Sequence, residues 1–185
     1  MGAWSKMRKL ILKFNAFLFY DNDKIVIEDL PSDIKSMKKL QIFILVDYPG
    51  KGLRNVCDLQ QMEKLELYGC YQLEELPPLE VLPNLRSLSL IKCSKLKHWK
   101  IGTRKRVVVF PQLESLYLKD LPMLESVTNL SSNGVWDEGT MPKLQVLSIL
   151  GCKLLKKLPI RVQRISKLKV EGNEDWFENI DWESS

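Results

Sequence analysis

The residues of this sequence able to do chemistry are few, and their spacing does not suit them to it. His98 is the only histidine among 185 residues, so a metal site built on two imidazoles is excluded. It lies in Lys97-His98-Trp99, just beyond an apolar anchor at Leu96, where a partly exposed turn residue is expected. A nucleophile needs a base beside it and an oxyanion donor in front of it. No G-x-S-x-G string occurs, and none of Cys57, Cys70, Cys93 and Cys152 has an adjacent histidine or forms a CxxC pair. Glu74-Glu75 are sequence neighbours that point in opposite directions, as solvated turn residues do. Gly134 to Gly139 has the glycine spacing of a phosphate loop, but Thr140 stands where the lysine belongs and no apolar strand leads in. Gly50-Lys51-Gly52 lacks the following Ser or Thr as well. The expectation is a chain that is not an enzyme, with no metal and no cofactor.

Composition narrows the class. With 45% apolar and 28% charged residues the chain has the make-up of a folded domain, which excludes global disorder. Its longest apolar stretches, such as Ile42 to Val46, are strand-sized and far short of a bilayer span. The opening MGAWSKMRKLILKF has no apolar signal core, and Lys6 stands where a myristoylation signal wants Ser or Thr. Four cysteines are too few for a disulfide scaffold, so free thiols in a reducing, cytoplasmic setting are expected. The net charge of +5 is uneven. From Glu171 to Ser185 there are six acidic residues and no Lys or Arg, while the first 170 residues hold 28 basic against 17 acidic. Those lysines are scattered, and Arg104-Lys105-Arg106 is the one dense basic run, so a solvated surface rather than a nucleic-acid interface is expected.

The elements that would position any site come from repetition. Met7-x-x-Leu10-x-Leu12-x-x-Asn15 recurs as Leu40-x-x-Phe43-x-Leu45 with Tyr48 in the last slot, then Met62-x-x-Leu65-x-Leu67-x-x-Cys70. Leu85-x-x-Leu88-x-Leu90-x-x-Cys93 and Leu113-x-x-Leu116-x-Leu118 follow, the latter with Leu121 in the slot. Leu144-x-x-Leu147-x-Ile149-x-x-Cys152 and Ile165-x-x-Leu168-x-Val170-x-x-Asn173 complete seven copies, at steps of 21 to 33 residues. A second set of anchors trails four copies: Leu73 and Leu76, Leu96 and Trp99, Leu124 and Val127, Leu155 and Leu158. Prolines between anchors, such as Pro77, Pro111 and Pro142, forbid a continuous helix. In a Leu-x-Leu strand both leucines share one face. One such coil cannot bury that face alone, so coils stack about 4.8 Å apart into a parallel sheet with a common core. Cys70 and Cys93 would then hold equivalent slots with Cα atoms about 5 Å apart, within disulfide reach, but filling the slot is the expected role.

The strings MEKLELYGC (62–70), LPNLRSLSLIKCSKL (82–96) and MPKLQVLSILGCKLLKKLP (141–159) resemble the C-terminal leucine-rich repeats of plant nucleotide-binding disease-resistance proteins. LPSDIKSMKKL (30–40) resembles an earlier-repeat form, and VEGNEDWFENIDW (170–182) is similar to the acidic, Trp-rich close of the coiled-coil class. The resemblance implies an α/β fold: a right-handed leucine-rich-repeat solenoid of about seven coils over 1–173. It puts short parallel strands on the concave face, irregular turns and few short helices on the convex face, and an acidic tail or cap over 174–185. It also implies a protein-interaction module for recognition and autoinhibition in plant intracellular immunity. Its partner would be a pathogen effector, a guarded host protein or the receptor's own nucleotide-binding region. Trp4 and Met7 already occupy anchor positions, as expected of a fragment of a larger receptor that lacks its nucleotide-binding domain. The alternative is a leucine-rich-repeat substrate adaptor of a ubiquitin ligase, but no F-box precedes Met7 in this sequence. A secreted ectodomain would bring cysteine caps and a strict 24-residue period, which this chain lacks.

The residues flanking each Leu-x-Leu core form a mixed strip, with serines at its centre, apolar and aromatic groups beside them and lysines at both ends. Glu66, Tyr68, Ser89, Ile91, Tyr117, Lys119, Ser148, Leu150 and Lys169 are the candidate partner contacts, expected to be exposed on the concave face. Three insertions interrupt the repeat: Phe17 to Asp29, read as a hairpin around Asp21-Asn22-Asp23; Gly102 to Val109; and Ser126 to Thr140, read as a polar loop exposing Trp136. Asn129-Leu130-Ser131 is a glycosylation sequon expected to go unused.

Overall fold

Each Leu-x-Leu copy becomes a five-residue strand, because alternation gives it one apolar face and one mixed face. The structure, a computed structural model, describes residues 3–14, 27–102, 108–129, 140–156 and 166–171. The strands in chain order are β1 (Lys9–Lys13), β2 (Ile42–Val46), β3 (Lys64–Tyr68), β4 (Ser87–Ile91), β5 (His98–Ile101), β6 (Ser115–Lys119), β7 (Ser126–Asn129), β8 (Val146–Leu150) and β9 (Lys167–Glu171). Seven of them pair in parallel in the order β1-β2-β3-β4-β6-β8-β9. Leu10, Phe43, Leu65, Leu88, Leu116, Leu147 and Leu168 share one register row, and Leu12, Leu45, Leu67, Leu90, Leu118, Ile149 and Val170 share another. From β2 to β8 both rows are fully buried. At β1, which has a strand on one side only, Leu10 and Leu12 stay partly buried.

The return segments differ from coil to coil. Short 3-10 helices at Ser32–Ser36, Arg54–Asp58 and Leu79–Val81 turn Ile34, Val56 and Leu79 into the core. Pro31 and Pro78 begin two of them, where a missing N–H costs nothing. The next coils do otherwise: β5 and β7 form a second, two-stranded parallel sheet with His98 opposite Ser126 and Trp99 opposite Val127. His98 is therefore an exposed strand residue, and the expected loop at Ser126 to Thr140 begins as a strand. The cause is a four-residue alternation, exposed-buried-exposed-buried over His98–Ile101, which seats Trp99 and Ile101 inward.

Five strands, β2, β3, β4, β6 and β8, are each followed by a left-handed residue: Asp47, Gly69, Lys92, Asp120 and Gly151, with φ between 51° and 65°. That turn drops the following residue, Tyr48, Cys70, Cys93, Leu121 or Cys152, into the core. A side chain at Gly69 would collide with Asp47 Oδ1, and a Cβ at Gly151 would lie 2.7 Å from Asp120 Oδ1. Each aspartate thus leans over the glycine of the next coil, a contact only glycine admits. No helix among the described residues is long and apolar enough to cross a membrane. The hairpin centre Asp21-Asn22-Asp23, the basic run Arg104-Lys105-Arg106, Trp136 with its glycine loop, Leu130-Ser131, and the tail 174–185 lie outside the described residues.

Candidate functional site

The seven-stranded sheet buries one face and leaves the other open. The nine candidate residues fall on that open face, on the five neighbouring strands β3, β4, β6, β8 and β9. Glu66, Ser89, Tyr117, Ser148 and Lys169 make one register row; Tyr68, Ile91, Lys119, Leu150 and Glu171 make the next. Tyr68 is exposed, and the Lys92 ammonium sits 5.3 Å from its ring centroid. Glu66 accepts an ion pair from Lys64 at 2.8 Å. Ile91, Tyr117, Lys119 and Leu150 are half-buried and Lys169 is exposed.

Two of the nine differ from expectation. Ser89 and Ser148 are 5% and 3% exposed, although they point to the open side. A serine between larger cross-strand neighbours is covered by them: Glu66 and Tyr117 flank Ser89, and Tyr117 and Lys169 flank Ser148. Ser89 and Ser148 are thus the small members of their register row, set between larger neighbours. Lys167, one of the lysines at the end of the strip, borders the same face, and so does Lys92, which was not singled out. Lys92 follows β4 rather than lying in it, so the Leu-x-Leu pattern does not mark it.

A groove of about 650 Å³ opens away from this face, lined by Glu74, Glu75, Leu76, Lys95, Lys97, His98, Lys100 and others. His98 Nδ1 lies 3.1 Å from Ser126 Oγ, a contact between cross-strand partners, both at the surface. No group of three or more His, Cys, Asp or Glu gathers as a metal site among the described residues.

The cysteines are free thiols, and Cys70, Cys93 and Cys152 are buried. Their slot is built for a weak donor: Cys152 Sγ lies 3.5 Å from the Leu150 carbonyl, and Cys93 Sγ 3.7 Å from that of Ile91. The hydrogen bond with Cys93 and burial push the Cys70 thiol up. Burial pushes Cys57 and Cys152 up to about 11. The thiolate is the reactive form, so native protein near neutral pH should alkylate slowly. Cys57, the one only partly buried, should react first, speeding up with each pH unit toward about 11. Unfolding should release four thiols at once. A mass-resolved labelling time course checks this, and fast native labelling of Cys70 or Cys152 would contradict it.

With the geometry in place, comparison gives it relatives. Residues 4–93 match the family model described as R13L1/DRL21 LRRs. The chain is 28% identical over 134 residues to disease resistance protein SUMM2 of Arabidopsis thaliana, covering 68% of this chain and 14% of that protein. It is 27% identical over 208 residues to disease resistance RPP8-like protein 3 of the same plant, covering 94% of this chain and 22% of the relative. Among solved structures, the leucine-rich repeat domain of the type III effector XopL superposes with a TM-score of 0.58 at 20% identity. That match covers 90% of this chain and 56% of the other, and it speaks to fold alone. The chain is a leucine-rich-repeat region related to those of plant disease-resistance proteins, and it spans about a seventh of the length of the first of them.

Proposed function

We propose that this chain is a protein-recognition module acting in plant defence inside the cell. In this proposal it is a right-handed solenoid over 1–173, capped by 174–185, whose concave side is the open sheet face. The partner is a pathogen-derived or host protein, or the nucleotide-binding region of a receptor, and a partner that favours one receptor state shifts the switch between states. One observation supports the proposal: four neighbouring strands of the in-register sheet, β3, β4, β6 and β8, present aromatic and aliphatic groups, Tyr68, Ile91, Tyr117 and Leu150, on its open face, with Lys119 among them. Half-buried aromatic and aliphatic groups beside small residues are the form that binding hot spots take. The disease-resistance names of the relatives support a receptor module over a ubiquitin-ligase adaptor.

Co-precipitation with the nucleotide-binding region of a related receptor, and with plant extract, tests the face. Tyr117→Ala and Ile91→Ala should each weaken binding by about 1–2 kcal/mol while leaving the melting temperature near that of the unaltered chain. Binding that survives both changes would place the contact elsewhere.

A further inference from the structure

We infer that the free edge of β5 is a second docking surface, which takes an extended segment of a partner protein as an added strand, apolar residues alternating with residues of both charges. It lies apart from the open face of the seven-stranded sheet, and neither surface needs the other. β5 pairs with β7 on one side only. In a parallel ladder alternate residues bond to each neighbour. The Lys97 carbonyl accepts from the Glu125 N–H, and with His98 opposite Ser126 this parity turns Trp99 and Ile101 to β7. The N–H and C=O groups of His98 and Lys100 therefore point the other way, toward the coil that carries β3. No backbone hydrogen bond joins residues 97–101 to residues 73–78 of that coil. Beyond β7 the ladder does continue, with the Lys156 N–H donating to the Glu125 carbonyl.

Two prolines leave this edge open. Lys64 pairs with Ser87, and the same offset sets Glu75 opposite His98 and Pro78 opposite Ile101. A donor at position 78 would meet the Lys100 carbonyl, but proline has none. After Pro77 and Pro78 the chain instead turns into the 3-10 helix Leu79–Val81. What remains between the coils is the groove of about 650 Å³, with Glu74, Glu75 and Leu76 on one wall and Lys97, His98 and Lys100 on the other. An exposed strand edge beside such a groove is a template for a further strand, held by main-chain bonds and selected by alternate side chains. Leu76, half-buried and packed on the core, seats the inward side chains of that strand. The outward ones stand between walls of opposite sign. Glu74, Glu75, Lys97 and Lys100 are all exposed, and no ion pair crosses the groove among the described residues. A carboxylate on the added strand reaches the lysines and an ammonium reaches the glutamates, whereas a run of one sign is repelled by one wall. That selects a mixed-charge protein strand over a nucleic acid.

The test is an anisotropy titration of the full chain with a labelled peptide of about seven residues, in which valine alternates with glutamate and lysine in turn. Peptides with only glutamate or only lysine at the charged positions should bind more weakly. N-methylation of two consecutive central amides blocks a donor on either edge of the peptide and should weaken binding at least about tenfold. Lys100→Pro should do the same, because it removes the groove-side N–H. That N–H makes no backbone bond, and a sheet edge admits proline, so the melting temperature should stay near that of the unaltered chain. Lys100→Gln should weaken binding less than Lys100→Pro. Undiminished binding of the N-methylated peptide would overturn main-chain pairing, whether or not Lys100→Pro folds. Equal losses from Lys100→Gln and Lys100→Pro would reduce the contact to charge and overturn it too. Loss of binding in Tyr117→Ala would move the peptide to the open face. Failure of the mixed-charge peptide to bind, or tighter binding of the glutamate one, would remove the mixed-charge strand as the partner.

Discussion

Leu90→Ala should cost about 2–5 kcal/mol, and Ser89→Ala, one residue away, almost nothing. Both residues are buried, so exposure does not separate them. What separates them is the face. Leu90 lies between Leu67 and Leu118 in the inner row, with no solvent to fill the space that truncation leaves. The surrounding coils are hydrogen-bonded to one another along the whole sheet and cannot collapse independently into a cavity. Ser89 lies on the other side, under Glu66 and Tyr117, and its hydroxyl makes no hydrogen bond among the described residues. Removing it deletes no bond and opens its space to solvent. Denaturant midpoints measured on the two variants decide the point. Equal midpoints would mean that the register is shifted by one residue, which would exchange inner and outer faces along the whole ladder.

The inner ladder was legible because two signals agreed. The Leu-x-Leu spacing fixes which residues share a face, and its recurrence fixes which strands are neighbours, so Leu65, Leu88, Leu116 and Leu147 could be placed side by side before any coordinates. LPSDIKSMKKL was read by resemblance to an earlier-repeat form rather than by spacing, and its Ile34, Met37 and Leu40 are buried. The trailing anchors were legible in part: Leu73, Leu96, Trp99, Leu124 and Val127 are buried, whereas Leu76 is only partly so and its neighbour Pro77 goes inward. The second sheet was not legible. His98–Ile101 is four residues long, too short for its alternation to stand out, and its partner lies 28 residues away at Ser126. The nine candidate residues reached one face because strand alternation is strict. Which of them solvent touches depended on neighbours across the strands, and a single strand's pattern carries no information about the size of what stands beside it. The left-handed turns were half visible: Gly69 and Gly151 announce such a position, but Asp47, Lys92 and Asp120 adopt it without glycine.

Trp99 offers the sharpest test of the part that was missed. Trp99→Ala should cost about 3–5 kcal/mol, comparable with any inner-row leucine, as its place among the trailing anchors requires. Its indole is 1% exposed, packs edge-on against Phe110 at 5.8 Å, and faces the core from β5 opposite Val127 on β7. Trp99→Phe should behave differently. The indole Nε1 has no hydrogen-bond partner among the described residues, so phenylalanine gives up area but no bond, and the buried donor is removed. The area lost and the relieved donor are each worth about 1 kcal/mol, so the net change should fall below about 1 kcal/mol. The ratio of the two effects is therefore informative beyond either alone. Thermal or denaturant unfolding in which Trp99→Phe costs nearly as much as Trp99→Ala would mean that Nε1 donates to an acceptor and that the indole is held by polarity. A large loss in the alanine variant alone would mean that packing between the second sheet and the inner ladder holds these coils together. The short β5–β7 sheet would then be a clamp on the core, with Trp99 as its contact.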